Sequence, residues 1–347
     1  MKTKKQMILI IVLLLLLLLG VGSFLYPGKV AVLDSIVNPF TKMEVDDNQL
    51  YITDGAAIHI YSLKDYSLKK KFGRRGEGPQ EFKVEPTINM GSVLLEVYPD
   101  YLLVNSLGKI SFFTKQGEFI KEIRSISPNG CFEVMGNRFV GYSFPAGNKT
   151  NYLTVNIFDS TLKVVRELYR EPQWINQGKD INVFGIRSAY FVVSDDKILV
   201  ENRQSSIEVF NGNGEKLYSI VPQIKPLKVT KKTKKRVHDF FKSLPQLKQL
   251  YTIIKDRLKF PRYFPKIRFF FVADHKIYVL SWRRKEKKNE CFIYDLEGNL
   301  INKTYLPLLQ DNIFLPYPFA IGNGKHYQLV ENEDGEEWEL HISDIAE

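Results

Sequence analysis

One repeated pattern constrains the fold of this chain more than any other feature. Each copy has alternating apolar residues up to an aromatic position, then a polar turn and a second apolar run. The aromatic position is filled by Tyr61, Phe113, Phe158, Phe210 and Tyr294, and by His341 in a truncated last copy. Most copies are spaced about 50 residues apart, and all-strand units with that period are typical of β-propeller blades. The pattern therefore predicts an all-β, six-bladed β-propeller.

The last repeat contains only three strand-like runs, so its fourth strand has to come from elsewhere in the chain. An apolar run at residues 30–36 stands outside any full repeat. Propellers often close their ring by pairing an N-terminal strand with the C-terminal blade, which removes an open sheet edge. We therefore predict that residues 30–36 complete the last blade and that the propeller spans residues 29–347.

The first 28 residues have the composition of a membrane segment. Lys2, Lys4 and Lys5 precede an uncharged apolar run over residues 7–26, which as a helix would be about 30 Å long and match a bilayer core. The lysines place the N-terminus in the cytoplasm and the propeller on the periplasmic or extracellular side. We predict a signal-anchor that tethers the protein to the membrane. A cleaved secretory signal is the alternative, and it exports the domain equally.

The net charge of +10 is concentrated in one segment. Residues 225–268 carry 15 Lys and Arg against two Asp, so the rest of the chain is mildly acidic. This segment contains an insertion at about residues 228–267, which follows the fourth blade. Its apolar residues recur at spacings of three and four, which predicts an amphipathic helical segment that Pro245 divides or kinks and that Pro261 and Pro265 end. Since the domain is exported, nucleic acid is a poor candidate partner.

Two interpretations of this insertion remain open, and they do not exclude each other. In the first, the apolar stripe packs on one face of the propeller and the lysines are its solvated side. In the second, the basic helix contacts anionic lipid or an acidic partner. The residues assigned to such a contact are Lys231, Lys232, Lys234, Lys235, Arg236, Phe240 and Phe241.

The segment GRRGEGPQEF, residues 73–82, follows the first blade. Its glycines and Pro79 require a defined irregular path, and Arg74 and Arg75 could attract an anionic ligand such as phosphate. The segment lacks the Lys-Ser/Thr of a P-loop and does not begin a helical pattern. A shaped crossing between blades is therefore the favoured interpretation.

This glycine segment also carries a resemblance to a known family. Its motif residues are Gly73, Gly76, Gly78, Pro79, Glu81 and Phe82. Together with Pro265-Lys266-Ile267 before a strand, they resemble the bacterial exported six-bladed β-propellers related to NHL-repeat proteins. The resemblance covers residues 43 to the C-terminus and implies a fold and export rather than an activity. Some distant six-bladed relatives are calcium-dependent lactonases or lyases, but no matching acidic and asparagine set is found in this sequence.

The sequence contains no recognisable catalytic motif. Its five histidines show no shared metal-ligand spacing, and HExxH, GxSxG and CxxC are absent. Asp54, Asn105 and Asn202 follow the second strands of three blades and could line the mouth of a central channel. Cys131 and Cys291 are interpreted as free thiols, with one disulfide as the alternative.

We therefore predict a membrane-tethered binding module, without a cofactor, for an unknown protein, glycan or small ligand. The alternative is a calcium-dependent propeller hydrolase or lyase whose site lies in the channel. Composition and spacing do not determine the oligomeric state.

Overall fold

Six four-stranded antiparallel sheets form the six blades of the propeller. The structure is a computed structural model, and it describes residues 28–33, 36, 41–84, 92–124, 131–143, 152–172, 180–184, 190–202, 205–243, 245–309, 313–314, 316–332 and 337–345. In blades 1 to 5 the strand order follows the chain, and the first strand of each sheet is innermost.

The N-terminal half of the described chain begins with one separate strand and then forms three blades. The first strand is β1 (Gly28–Val32). Blade 1 contains β2 (Met43–Val45), β3 (Gln49–Asp54), β4 (Ala57–Ser62) and β5 (Leu68–Phe72), and the short parallel pair β6 (Arg74–Arg75) and β7 (Glu81–Phe82) follows it. Blade 2 contains β8 (Leu94–Val97), β9 (Tyr101–Ser106), β10 (Lys109–Thr114) and β11 (Phe119–Arg124). Blade 3 contains β12 (Phe132–Met135), β13 (Arg138–Ser143), β14 (Tyr152–Phe158) and β15 (Val164–Pro172).

The C-terminal half contains three more blades and the helical insertion. After β16 (Ile181–Asn182), blade 4 contains β17 (Phe191–Ser194), β18 (Lys197–Asn202), β19 (Ser206–Asn211) and β20 (Lys216–Ile220). The insertion contains α1 (Lys231–Ser243), α2 (Pro245–Ile254), a 3-10 turn (Lys255–Arg257) and β21 (Leu258–Lys259). Blade 5 contains β22 (Phe269–Ala273), β23 (Lys276–Lys285), β24 (Lys288–Asp295) and β25 (Leu300–Leu306). Blade 6 contains β26 (Phe319–Gly322), β27 (Lys325–Glu331) and β28 (Trp338–Asp344).

The fourth strand of blade 6 comes from the N-terminal side of the chain, as predicted. Strand β1 pairs antiparallel with β28, with Gly28 opposite Ile342 and Val32 opposite Glu339. Lys29 Nζ also lies 2.8 Å from a carboxylate oxygen of Glu339. The predicted boundaries were too late, because pairing begins at Gly28 and ends at Val32.

Buried apolar clusters fill the spaces between neighbouring blades and close the ring. Within the described chain, six such clusters are found, one for each pair of adjacent blades. The cluster between blades 6 and 1 contains Leu50, Trp338 and Leu340, for example. Because both faces of a blade are covered by neighbours, the middle strands are nearly continuous apolar runs, as in QLYITD of β3. The repeated pattern thus records burial on two faces.

The alternation of antiparallel strands gives the ring two different faces. The upper face is defined here by the connections between blades and by the loops between second and third strands. These two kinds of loop contact each other, as where Arg283 donates to the carbonyl of Pro226 at 2.9 Å. The lower face is formed by the tight turns after first and third strands, such as the one at Asn211–Gly214, where Gly214 donates to Asn211 at 2.8 Å.

The insertion packs onto the upper face, and we call it the cap (residues 228–267). Val237 and Phe241 of α1 are buried together with Ile254 and Leu258, against side chains from blade connections that include Phe184 and Ile313. The packed interpretation of the insertion is therefore confirmed. The predicted division at Pro245 is also confirmed, since α2 begins at that residue.

The end of the helical segment differs from the prediction. Helix α2 ends at Ile254, well before Pro261, because residues after it form a 3-10 turn and then a strand. Strand β21 pairs in parallel with β16, with Leu258 opposite Ile181. This pairing attaches the cap to the connection between blades 3 and 4.

The predicted membrane segment at residues 7–26 lies outside the described residues. Of the helices that the structure does describe, none has the length and apolarity needed to cross a bilayer. Both cysteines are free thiols, with Cys291 buried in blade 5 and Cys131 half-buried.

Candidate functional site

The three polar residues predicted at a channel mouth share the upper face but do not converge on one point. Each lies at or next to the end of the second strand of its blade, and each side chain has partners close by. Asn105 is buried and bonds both backbone groups of Phe132, donating to the carbonyl at 2.8 Å and accepting from the amide at 2.9 Å. Asn202 donates to Glu208 at 3.0 Å. Asp54 is buried, with its Oδ2 3.9 Å from Nε2 of His59.

The glycine segment forms a crossing between blades, and the anion that its donors bind is the Glu81 carboxylate of the same segment. The Glu81 carboxylate accepts from the Gly78 amide at 2.9 Å and from Nε of Arg74 at 2.9 Å. These two contacts hold the pKa of Glu81 below its usual value. Arg75 donates to the backbone carbonyl of Val84 at 3.1 Å. A carboxylate inside the loop disfavours an external phosphate by like-charge repulsion.

Gly73 shows why this crossing requires glycine. Its φ is +83°, and a Cβ atom at this position would lie 2.5 Å from the ring of Phe82 and 2.7 Å from the carbonyl oxygen of Ala56. The Phe82 ring is fully buried between blades 1 and 2. The segment therefore has a packing role at both of its ends.

A charged cluster that was not predicted lies on the innermost strands of blades 1 to 3. We call Lys42, Glu44, Glu96 and Glu133 the channel cluster. Nζ of Lys42 lies 3.1 Å from Glu44 Oε1 and 2.6 Å from Glu96 Oε1, and it also donates to the Leu95 carbonyl at 2.9 Å. Glu133 accepts from the backbone amide of Val193 in blade 4 at 2.6 Å. Groups from four consecutive blades thus meet beside the central channel.

The three glutamates occupy one repeated position. Glu44, Glu96 and Glu133 each lie opposite a second-strand residue that follows them by seven positions. The same register position holds Val192, Phe271 and Ala320 in blades 4, 5 and 6. An apolar-Glu-Val tripeptide marks the position in blades 1 to 3 (MEV, LEV and FEV), and this signal could have identified the cluster from sequence.

Burial shifts the protonation equilibria of this cluster. It raises the pKa of Glu44 to about 7, although Lys42 acts in the opposite direction. Burial and the Glu96 carboxylate hold the pKa of Glu133 well above its usual range. Burial opposes the charge of Lys42, but Glu96 and Glu44 outweigh it, so the Lys42 pKa is raised. One ammonium group therefore faces the Glu44 carboxyl, whose pKa burial brings near neutral pH, and the carboxylate of Glu96.

The opposite wall of the channel is aromatic. Phe269 and Phe271 of β22 pack with Phe319 of β26, and the ring centroids of the two contacts with Phe319 are 6.0 and 5.3 Å apart. The innermost strands therefore form a charged wall on blades 1 to 3 and an apolar wall on blades 5 and 6.

The channel cluster does not fit a calcium site. Calcium takes six to eight oxygen ligands, whereas here the Lys42 ammonium lies between the carboxylates of Glu44 and Glu96. Across the part of the chain that the structure describes, no three His, Cys, Asp or Glu side chains are grouped to hold a metal ion.

The residues assigned to a membrane or partner contact divide into two sets. Phe241 is buried in the cap cluster and stacks near Tyr251 at 6.0 Å, and the half-buried Phe240 packs on Phe314 at 4.9 Å. Their rings belong to the packing of the cap. The five cations are exposed, and they are Lys231, Lys232, Lys234, Lys235 and Arg236.

Comparison with known proteins identifies neither a family nor a function for this chain. No protein-family model matches the sequence, and no curated protein matches it. A member of the DUF4221 family from Bacteroides vulgatus is similar in structure at 11% identity, with 92% of this chain and 96% of that chain covered and a TM-score of 0.48. BamB from Moraxella catarrhalis is similar at 9% identity over 86% of this chain and 71% of that chain, with a TM-score of 0.33. The computationally designed protein Ika8 is similar at 8% identity over 88% and 70%, with a TM-score of 0.39.

Proposed function

We propose that this protein is a membrane-tethered binding module on the extracytoplasmic side, and that its capped upper face binds an acidic protein. The observation that carries this proposal is the separation of charge and packing in α1. Val237 and Phe241 are buried beneath the helix, while the five cations around Lys234 are exposed. The stability of the cap rests on the first group, so the second is available for recognition.

The five exposed cations of α1 differ from Lys259, a cap lysine that pairs with Asp180 at 3.6 Å. Among the described residues, none of the five forms an ion pair, and Lys234 stands over the ring of Phe260 at 5.4 Å. A surface with several cations of one sign attracts partners of the opposite sign and raises their association rate. An acidic partner is the complement of this surface.

Apolar side chains exposed on the cap favour a protein as that partner. Ile253 of α2 is 68% exposed, and Tyr263 is 37% exposed. Protein interfaces combine a few apolar or aromatic anchors with surrounding charge.

The direction of β1 also favours a partner away from the bilayer. Gly28 lies opposite Ile342, near the lower-face end of β28, and β1 runs from there towards the upper face. The predicted membrane segment immediately precedes Gly28, so it would attach at the lower face. A five-residue strand rises about 17 Å, and the cap lies beyond its far end. This arrangement supports a tether at the lower face and an acidic protein at the cap.

The proposal is tested by measuring how tightly the full chain, held in zwitterionic nanodiscs, binds a fluorescent oligoglutamate peptide. The triple variant Lys231→Gln, Lys232→Gln and Lys235→Gln should bind about tenfold more weakly, and added salt should weaken the wild type. The matched control removes three exposed lower-face or edge cations, Lys64→Gln, Lys69→Gln and Lys163→Gln, and should bind like the wild type. Equal losses in the two triples would contradict a specific role for the cap.

The orientation is tested separately by fluorescence quenching from a dye in the bilayer. A label at Lys64→Cys, on the lower face, should be quenched more strongly than one at Ile253→Cys on the cap. Stronger quenching at the cap, or tighter binding of the cap to anionic than to zwitterionic lipid, would indicate a lipid contact instead.

A further inference from the structure

An open groove lies between blades 2 and 3, apart from both the cap and the channel. Its volume is about 390 Å³, which falls within the usual range for small-molecule sites. Phe112 and Phe139 contribute to its floor, and Ile120, which is 49% exposed, lies along it. Such an aliphatic side chain at the border of an aromatic floor provides a surface for an apolar ligand body.

The charged side chains of the groove are of one sign. Lys121 and Arg138 line it, and none of its described lining residues is acidic. Lys121 Nζ stands 4.7 Å from the centroid of the Phe112 ring. Arg138 donates to the Gly212 carbonyl at 3.1 Å, which uses one of its five donors.

Blade 5 contains the same lysine-on-phenylalanine arrangement with its charge compensated. There Lys303 lies opposite Phe292 and stands 4.9 Å from that ring, just as Lys121 lies opposite Phe112. Lys303 also pairs with Glu290 at 2.8 Å.

The strand register shows what differs between the two blades. Two positions before the phenylalanine, blade 5 has Glu290 and blade 2 has Ile110. Blade 2 therefore keeps the cation and replaces its acid with an apolar residue. The described residues provide no carboxylate partner for Lys121.

We propose that this groove binds a small organic anion that has an apolar body and a single carboxylate head group. The body lies on the floor beside Phe112, Phe139 and Ile120, and the carboxylate is held by Lys121 and Arg138. A carboxylate accepts from an ammonium group and from a guanidinium group in charge-assisted hydrogen bonds. The inference is independent of the acidic protein proposed for the cap, because the two surfaces share no residue.

Three probes with one carbon skeleton test the head group by calorimetry on the full chain in nanodiscs. They are 1-naphthoate, 1-naphthylmethanol and 1-naphthylmethylammonium. We expect saturable binding of the carboxylate, about tenfold weaker binding of the alcohol, and the weakest binding of the ammonium compound. Equal affinity for all three probes, or no saturable binding of naphthoate at millimolar concentrations, would overturn the proposal.

Variants at two matched lysines test the position. Lys121 is exposed, so Lys121→Gln should fold normally and should weaken naphthoate binding about tenfold, while Lys121→Arg should retain it. Lys303→Gln removes the corresponding cation of blade 5 and should leave naphthoate binding unchanged. An equal loss in both variants, or none with Lys121→Gln, would place the ligand elsewhere and refute the assignment.

Discussion

Charge accumulates in two regions of this molecule, the cap and the channel cluster, and the two regions arrange it in opposite ways. The cap buries apolar side chains such as Phe241 and leaves its cations exposed. The channel cluster pairs Lys42 with Glu44 and Glu96, and the pKa values of Glu44 and Glu133 are raised there. The comparison teaches that burial, rather than the number of charges, determines where electrostatics affect folding. Substitutions in the two regions should therefore differ in size and in pH dependence.

The largest effect is expected where the cap meets the propeller. Phe241 is 5% exposed and packs against Tyr251 and Phe314. The variant Phe241→Ala should lower the free energy of unfolding by about 3–5 kcal/mol, because it leaves a cavity in the cap cluster. Chemical denaturation and limited proteolysis at the cap lysines measure this. Ile253→Ala is the control on α2, since its side chain is 68% exposed and should change stability little. Similar protease resistance in both variants would mean that the cap is not held by this cluster.

A smaller, pH-dependent loss of stability is expected from a substitution in the channel. Lys42→Met removes the ammonium that faces Glu44 and Glu96. Breaking a fully buried ion pair costs about 3–5 kcal/mol, but a third of the Lys42 side chain is accessible, so we expect about 2 kcal/mol at pH 8. At pH 5 the loss should be smaller, because Glu44 and Glu133 then carry protons and need no cation. Urea denaturation at the two pH values measures the difference, and an equal loss at both would contradict the coupling.

Removing a carboxylate from the same cluster should instead increase the free energy of unfolding. The pKa of Glu133 is raised in the folded state, so the folded protein holds a proton that the unfolded chain releases as pH rises above the usual glutamate range. This group therefore reduces stability as pH increases. Glu133→Gln keeps an oxygen acceptor for the Val193 amide and should be more stable than the wild type at pH 8, by less than the loss in Lys42→Met, with no difference near pH 4. A variant that is less stable at pH 8 would show that the charged form is favoured in the fold.

The blade count and the closing strand could be predicted because they depend on local, repeated patterns. Each middle strand is apolar on both faces, so the repeated pattern is recognisable even where blades differ in their turns. The strand at Gly28–Val32 was found because the last repeat had one strand too few. Its boundaries were predicted too late, because they depend on pairing with β28, which is more than 300 residues away in the sequence.

The channel cluster was missed because its members meet only when neighbouring blades pack, and the recurring apolar-Glu-Val tripeptide was not recognised. Lys42 and Glu133 come from different blades, and nothing within either repeat requires them to be neighbours. The residues Asp54, Asn105 and Asn202, predicted to line a channel mouth, lie at one face, and that ligand-binding role stays a prediction. Asn105, for example, satisfies the backbone of Phe132, since buried polar groups take the nearest partners. The position of a polar residue at a strand end therefore indicates the face on which it lies, but it does not indicate what the side chain binds.

The smallest effect on stability is expected from the exposed cations of the cap, and it completes the comparison with the channel. Neutralising Lys231, Lys232 and Lys235 removes three charges, whereas Lys42→Met removes one. The triple variant should nevertheless change the free energy of unfolding by less than about 0.5 kcal/mol, at pH 5 and at pH 8 alike, because these side chains are already solvated. Thermal and urea unfolding of the full chain measure this beside the Lys64, Lys69 and Lys163 control. A loss as large as that of Lys42→Met would mean that the cap cations support the fold. Unchanged stability with weakened binding would assign them to recognition.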